Sequence, residues 1–239
     1  LIQQYLIYIS NVVQGDFGKS IMTARDVLDD LIRFFPATLE LATIATLIGV
    51  FIGVPMGVGA AVYQGQWFDH LVRVIGLFGY SVPIFWLGMV ALLIFYGWLD
   101  VLPGPGRIEV FYDGLVNPVT GIILIDSALQ EEWEVFWNAV DHLILPSTIL
   151  ATFALAYIAR MTRSFMLDQL NQEYILTARV KGLKESSVIW GHAFRNVLVQ
   201  LITIIGLTYA SLLEGSVLTE TIFSWPGIGQ YITTSLFNA

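Results

Sequence analysis

Residues 173–196 read EYILTARVKGLKESSVIWGHAFRN, a long polar and basic segment in a chain that is otherwise mostly apolar. The part from Glu173 to Lys181 contains good helix formers and is followed by Gly182, the residue type that most easily adopts the left-handed conformation after a helix C-terminus. Ser186 or Ser187 offers an N-cap for a second helix that runs directly into apolar sequence. The segment therefore predicts a short surface helix, a glycine turn and the start of a membrane span.

Composition and charge distribution indicate a membrane protein. Of the 239 residues, 56% are hydrophobic and 13% are charged, which is too apolar for a soluble domain of this length. There is no cysteine, so disulfides, thiolate metal sites and thiol nucleophiles are excluded. Six of the eleven Lys and Arg residues lie between positions 160 and 195, whereas positions 100–141 hold eight acids and one Arg. By the positive-inside rule, the first region is cytoplasmic and the second is external.

The polar segment resembles the cytoplasmic EAA loop of ABC-importer permeases, in the form found in the dipeptide/oligopeptide/nickel group. That form reads approximately Y-x-x-T-A-R-x-K-G-L, a spacer, and H-A-x-R-N. The matching residues are Tyr174, Thr177, Ala178, Arg179, Lys181, Gly182, Leu183, His192, Ala193, Arg195 and Asn196. Leu176 stands at the Glu position of the general EAA pattern, Thr177 at its first Ala, and Phe194-Arg195 at its Leu-Pro. These departures point to the peptide/nickel branch.

The resemblance implies an all-α integral membrane protein with the transmembrane domain of a type I ABC importer. In the family it resembles, one transmembrane helix would precede Leu1 and another would follow Ala239, so we expect one permease domain, 1–239, that lacks the first and last spans of a six-helix permease. Within it we expect an external amphipathic segment at 1–35, spans at 36–62, 74–99, 143–162 and 196–214, an external acidic loop at 100–142, a cytoplasmic coupling loop at 163–195 and an external loop at 215–239.

Two of the expected spans contain informative small residues and prolines. Between Leu41 and Phe68, small residues recur at every fourth position, which predicts a ridge that lets another helix approach closely. These residues are Ala45, Gly49, Gly53, Gly57 and Ala61. The run from Val74 to Leu99 is interrupted by Ser81-Val82-Pro83, which predicts a kink within one span. Pro146 is expected in the first turn of the span that begins near Leu143.

The resemblance also implies the residues that bind the ATPase subunits. This coupling helix comprises Glu173, Tyr174, Thr177, Ala178, Arg179, Lys181, Gly182 and Leu183. Tyr174 and Leu183 are expected to insert as apolar side chains, and Arg179 and Lys181 to make polar contacts around them.

Possible pathway or gate residues are Ser81, Pro83, Gln200, Thr203, Glu214 and Glu220. Both glutamates are expected at the external end of the last span, where water lowers the cost of a charge. Glu40 is expected to anchor its helix at the membrane interface. The acids of the external loop, Asp126, Glu131, Glu132, Glu134 and Asp141, are interpreted as a solvated face, and no metal site is predicted.

The chain has no G-x-x-x-x-G-K-[ST] sequence, so it cannot bind ATP phosphates as a P-loop does, and we assign no catalytic residue. The resemblance implies the pathway-forming permease subunit of an ATP-driven importer in the inner membrane. Its solute would be a dipeptide, an oligopeptide, glutathione, nickel or an oligosaccharide. ATP and Mg would be bound by two partner ABC ATPase subunits; further partners are a related permease chain, an external solute-binding protein and membrane lipid, with no nucleic acid. The alternative is a secondary active transporter, which would need charged relay residues near the midplane.

Overall fold

The computed structural model describes residues 2–238, which form ten α-helices. These are α1 (Ile2–Val13), α2 (Val27–Val62), α3 (Trp67–Ser81), α4 (Ile84–Ala91), α5 (Ile123–Leu129), α6 (Trp133–Leu170), α7 (Glu173–Val180), α8 (Arg195–Gly215), α9 (Val217–Ile222) and α10 (Ile228–Phe237). A π-helical stretch, Leu92–Trp98, continues α4, and another, Ser187–Phe194, leads into α8. The all-α prediction is confirmed for the described residues.

Three helical stretches are long and apolar enough to cross a membrane. They are α2, α6 and the continuous stretch Ser187–Gly215. The pair formed by α3 and Ile84–Trp98 would add a fourth if both halves belong to one span. The chain therefore has the number of apolar helices expected from its sequence, although one of the four is broken.

The centre of the fold is the pair α2 and α6, which approach each other along the predicted ridge of small residues. A Cβ atom added to Gly49 would lie 2.7 Å from the Cβ of Ala154, and one added to Gly57 would lie 2.5 Å from the carbonyl oxygen of Ala159. No side chain larger than hydrogen fits at these positions without separating the helices. The predicted packing ridge is therefore confirmed.

The break at Ser81-Val82-Pro83 is larger than a kink. The chain turns by 98° between α3 and α4. Val82 is extended, with φ −86° and ψ 125°, because the ring of the following proline disfavours the helical conformation at this position. Pro83 has no N–H with which to continue the hydrogen-bond ladder, and it stands at the N-cap of α4. The predicted interruption is confirmed, but it is a sharp break between two helices that meet at nearly a right angle.

The helices α2 and α6 both begin earlier than expected. The first starts at Val27 and the second at Trp133, so residues 27–35 and 133–142 continue these helices. The placement of Pro146 in a first turn is wrong, because it lies well inside α6. The extra turns are helical because they pack: Val135 and Ala139 are each only 1% exposed. Tertiary burial thus extends these helices beyond the uncharged runs from which their ends were predicted.

The start of the helix after Gly182 also differs from its prediction. The backbone N–H groups of Ser187 and Val188 both donate to the carbonyl oxygen of Lys184, at 2.9 and 3.0 Å. Ser186 already has helical dihedral angles and makes no side-chain capping bond. The helix therefore begins about two residues before the predicted serine N-cap.

Candidate functional site

The turn after α7 has the hydrogen bonds of a Schellman motif. Gly182 has φ +79°, in the left-handed region. Its N–H donates to the carbonyl oxygen of Arg179 at 2.9 Å, and the N–H of Leu183 donates to that of Ala178 at 3.3 Å. These two bonds satisfy carbonyl groups that the end of the helix would otherwise leave free. The predicted glycine turn is confirmed, and it fixes the direction in which the chain leaves α7.

One face of α7 is buried against the rest of the chain. Ile175 and Ala178 are 0% and 6% exposed and belong to the main hydrophobic core. The hydroxyl of Tyr174 donates to Oε1 of Gln169 at 2.8 Å and accepts from Nδ2 of Asn196 at 3.0 Å. The helix is thus held to the C-terminal end of α6 and to the start of α8.

The opposite face of α7 presents apolar side chains to the outside. Leu176 is 63% exposed and Val180 is 80% exposed, whereas Tyr174 and Leu183 are 37% and 42% exposed. Leu176 and Val180 were absent from the predicted set of contact residues. Their spacing of four positions on a helix was the signal that could have identified them.

The polar residues of this segment are also exposed. Nε of Arg179 lies 2.8 Å from Oε1 of Glu185, across the glycine turn. An exposed ion pair of this kind contributes about 0–1 kcal/mol to stability, so it leaves the arginine available to another partner. The hydroxyl of Thr177 donates to the carbonyl oxygen of Glu173 at 3.0 Å. We call the exposed surface formed by Leu176, Val180, Leu183 and Lys181 the α7 surface.

The candidate pathway residues do not form one cluster. Gln200, Thr203 and Glu214 are exposed along α8, where only 22% of the apolar window is buried by the chain itself. Ser81 and Pro83 are exposed at the break between α3 and α4. The helix α8 packs on α2 and α6, whereas α3 packs on α2 and α6 and α4 packs on α6 and α9. Within residues 2–238 no side-chain hydrogen bond joins these two sets.

Glu220 is fully buried, so the prediction that water lowers the cost of its charge is wrong. Its Oε1 accepts hydrogen bonds from the hydroxyls of Thr38 at 2.8 Å and Ser216 at 2.7 Å. Its Oε2 accepts from the backbone N–H groups of Gly229 at 2.7 Å and Gln230 at 3.2 Å. These four donors replace the water, and they include N–H groups of the first turn of α10.

The turn of α2 that contains Thr38 also binds the segment between α9 and α10, through two further hydrogen bonds. The hydroxyl oxygen of Thr38 accepts from the N–H of Ile228 at 2.9 Å. Nε1 of Trp225, a residue with 0% exposure, donates to the carbonyl oxygen of Ala37 at 2.8 Å. Residues 216–238 are therefore attached to α2 by buried hydrogen bonds, and the sequence Pro226-Gly227-Ile228-Gly229 forms the turn that makes this possible.

Glu40 is buried as well, and its carboxylate is bound within the chain. Its Oε2 lies 2.5 Å from Nη2 of Arg107, and its Oε1 accepts from the N–H of Leu124 at 3.0 Å. The guanidinium of Arg107 also donates to the carbonyl oxygen of Gly121 at 2.9 Å and lies 5.8 Å from the ring centroid of Trp225. This ion pair attaches the loop 100–122 to α2 beside the attachment of residues 216–238.

Asp126 does not belong to the solvated acidic face to which it was assigned. It is 2% exposed, whereas Glu131, Glu132, Glu134 and Asp141 are exposed. Burial alone would raise the pKa of Asp126. Its carboxylate accepts hydrogen bonds from the Thr120 hydroxyl and from the backbone N–H groups of Val119, Thr120 and Gly121. These bonds outweigh the effect of burial and hold the pKa below its usual value. The carboxylate therefore organises the turn that precedes α5.

Comparison with known proteins places the chain in a family. Residues 53–239 match the sequence model of the binding-protein-dependent transport system inner membrane component. The chain is 47% identical over 233 residues to the "Probable D,D-dipeptide transport system permease protein DdpB" of Escherichia coli (strain K12), covering 98% of this chain and 68% of that protein.

Two further relatives match over similar lengths. The chain is 47% identical over 236 residues to the di/tripeptide transport system permease protein DppB of Pseudomonas aeruginosa (strain UCBPP-PA14), covering 99% of this chain and 70% of that protein. It is 37% identical over 238 residues to the oligopeptide transport system permease protein AppB of Bacillus subtilis (strain 168), covering 98% of this chain and 68% of that protein. These matches give no support to a secondary active transporter. The chain belongs to the family of binding-protein-dependent transport system inner membrane components, the permease subunits of ABC importers.

Proposed function

We propose that this chain forms part of the transmembrane pathway of an ATP-driven importer of short peptides, and that α7 couples it to separate ATPase subunits. The observation that supports the coupling role is the α7 surface, which presents Leu176 and Val180 to the outside on a helix whose other face is buried. Exposed apolar side chains beside a conformationally fixed turn are typical of a site that docks another protein. The relatives' names, which specify dipeptides, tripeptides and oligopeptides, favour peptides over nickel, glutathione or an oligosaccharide.

The contacts of α7 suggest how a movement of the ATPases would reach the membrane. Ile175 and Ala178 share a hydrophobic core with Met166 of α6 and with Val188 and Val197 on the helix that leads into and forms α8. A close-packed core transmits displacement because its side chains have no free volume in which to absorb it. A push on α7 would therefore move α6 and α8 together, as in a rigid-body rotation of domains.

The remaining partners belong to the same proposal. The exposed stripe on α8 that includes Gln200, Thr203 and Glu214 would face the pathway or the second permease chain. ATP and Mg would be bound by the two ATPase subunits, and an external solute-binding protein would deliver the peptide. The basic segment 163–195 would lie in the cytoplasm and the acidic segment 100–142 outside.

The coupling role is tested by Gly182→Val in cells that express the complete transporter. Valine at φ +79° strains the backbone by about 1–2 kcal/mol, while a Cβ at this position meets no atom within 4 Å. Gly114→Val is the matched control, since its φ is +81° and its Cβ space is equally empty, but it lies in the loop 100–122. We expect the Gly182 variant to lose most co-purifying ATPase and at least about tenfold in uptake of a radiolabelled dipeptide, a change equivalent to about 1.4 kcal/mol.

The control variant should retain both properties. Wild-type uptake by an inserted Gly182→Val protein would refute the coupling role of α7. The peptide assignment has a separate test. If the wild-type transporter retains its ATPase subunits but takes up nickel and no dipeptide, the peptide assignment is refuted and the coupling role stands.

A further inference from the structure

A groove of about 410 Å³ lies between α3 and α6, and its lining includes no residue of the α7 surface or of the attachments on α2. Its α3 wall includes Arg73, Gly76, Leu77 and Tyr80, which recur at three- and four-residue spacing and so share one face of the helix. Its α6 wall includes Arg160 and Arg163. Three arginines thus line a cavity that also has aliphatic and aromatic walls.

The positive charge of this groove is only partly neutralised. Nε and Nη2 of Arg163 donate to the two carboxylate oxygens of Asp69, at 2.6 and 2.8 Å. Among residues 2–238, neither Arg73 nor Arg160 has a carboxylate oxygen within 4 Å. Three guanidinium charges against one carboxylate leave two positive charges without a counter-ion in the described part of the chain.

The guanidinium of Arg160 is oriented by aromatic rings. It lies 4.8 Å from the ring centroid of Tyr80 and 5.5 Å from that of Tyr157. Stacking against these rings restrains the side chain without using its N–H donors, which make no hydrogen bond to any described residue. The donors remain available for an anion that enters the groove.

The surroundings of the groove are apolar enough for lipid. On α3, Val74, Leu77 and Phe78 are 63%, 68% and 57% exposed. The α6 wall belongs to a helix long and apolar enough to cross a membrane, and α3 meets the same criterion together with Ile84–Trp98. A soluble anion would use the arginines but not this apolar surface, whereas a phospholipid would use both.

We propose that this groove binds an anionic phospholipid, with its phosphate held by Arg73 and Arg160 and an acyl chain lying along Leu77. Basic pockets between membrane helices on the cytoplasmic side are suited to such headgroups, because their arginines pair with the phosphate charge at headgroup level. The lipid would occupy the space between α3 and α6 and so stabilise their packing next to the Asp69–Arg163 ion pair. The proposal does not depend on the solute or on the role of α7.

The test measures lipid retention by the intact transporter purified in detergent. The complex is equilibrated with dioleoylphosphatidylglycerol or dioleoylphosphatidylcholine, and bound lipid is quantified by native mass spectrometry. Arg73 makes no side-chain hydrogen bond to any described residue, so Arg73→Gln should not impair folding. We expect it to weaken phosphatidylglycerol binding about fivefold, with Arg73→Lys close to the wild type. Arg195→Gln is the control, since it removes the same charge from an exposed position outside the groove.

Three results would overturn the proposal. The first is equal retention of the two lipids by the wild-type complex. The second is an equal loss of phosphatidylglycerol in Arg73→Gln and Arg195→Gln, which would indicate a general charge effect. The third is complete displacement of phosphatidylglycerol by inorganic phosphate, which would assign the arginines to a soluble anion. An Arg160→Gln variant that loses phosphatidylglycerol to the same extent as Arg73→Gln would support it independently.

Discussion

Replacement of Glu220 by glutamine removes a buried negative charge while conserving the shape of the side chain. The carboxylate accepts four hydrogen bonds, from Thr38, Ser216, Gly229 and Gln230. A glutamine oxygen can still accept the two backbone N–H bonds, and the two hydroxyls can rotate to accept from its NH₂ group. All four charge-assisted bonds thereby become neutral, which costs somewhat less than about 1 kcal/mol each and about 3 kcal/mol together. Glu220→Ala leaves all four donors unpaired and costs about 5 kcal/mol.

Amide hydrogen exchange measures this effect locally. The N–H groups of Gly229 and Gln230 donate directly to the carboxylate and should be strongly protected in the wild-type protein. A loss of about 3 kcal/mol in the free energy of opening accelerates exchange by about 100-fold when exchange is limited by the opening equilibrium. Glu214→Gln is the control, since Glu214 is exposed and makes no side-chain hydrogen bond among the described residues. An acceleration below about fivefold in Glu220→Gln, or one matched by the control, would refute the capping role.

Two further predictions concern packing and pH. Gly57→Ala should destabilise the protein by about 1–3 kcal/mol, because its Cβ would lie 2.5 Å from a carbonyl oxygen of α6. Gly206→Ala is the control and should not destabilise the protein, since its Cβ would meet no atom within 4 Å. Equal midpoints of thermal unfolding for the two variants in detergent would contradict the packing ridge. Asp126 has a lowered pKa in the folded state, so its contribution to stability is present above its unfolded pKa and is lost as the pH falls below about 4. The amide exchange rates of residues 117–122, corrected for the pH dependence of the chemical exchange step itself, should rise in that range. This pH dependence should be absent in Asp126→Asn.

The features that the sequence predicted correctly depend on neighbours along the chain. The turn at Gly182 is specified by bonds that span at most five residues, and the ridge through Gly49 and Gly57 is specified by a four-residue repeat on one helix. The basic segment identified the family because its motif is continuous. Each of these signals can be recognised in one short window.

The features that were predicted wrongly, or only in part, depend on residues far apart in the chain. Thr38 and Glu220 are separated by 182 positions, so no local pattern could show that a glutamate after α8 is buried against α2. The bend at Pro83 was foreseen as a kink because proline marks a helix break, but the 98° angle depends on how α4 packs against α6 and α9. The early start of α6 likewise depends on burial of Val135 and Ala139.

The buried carboxylates of Glu40 and Glu220 explain how two separate loops are attached to one helix. Residues 37–40 form a single turn of α2: Ala37 accepts from Trp225, Thr38 contacts Glu220, and Glu40 binds Arg107. The ring of Trp225 in turn lies 5.8 Å from the Arg107 guanidinium, so the two attachments contact each other. Both loops are bound to the same turn by buried hydrogen bonds. Breaking one attachment therefore weakens the hydrogen bonds of the other. A displacement of α2 against α6 therefore moves both loops as one unit.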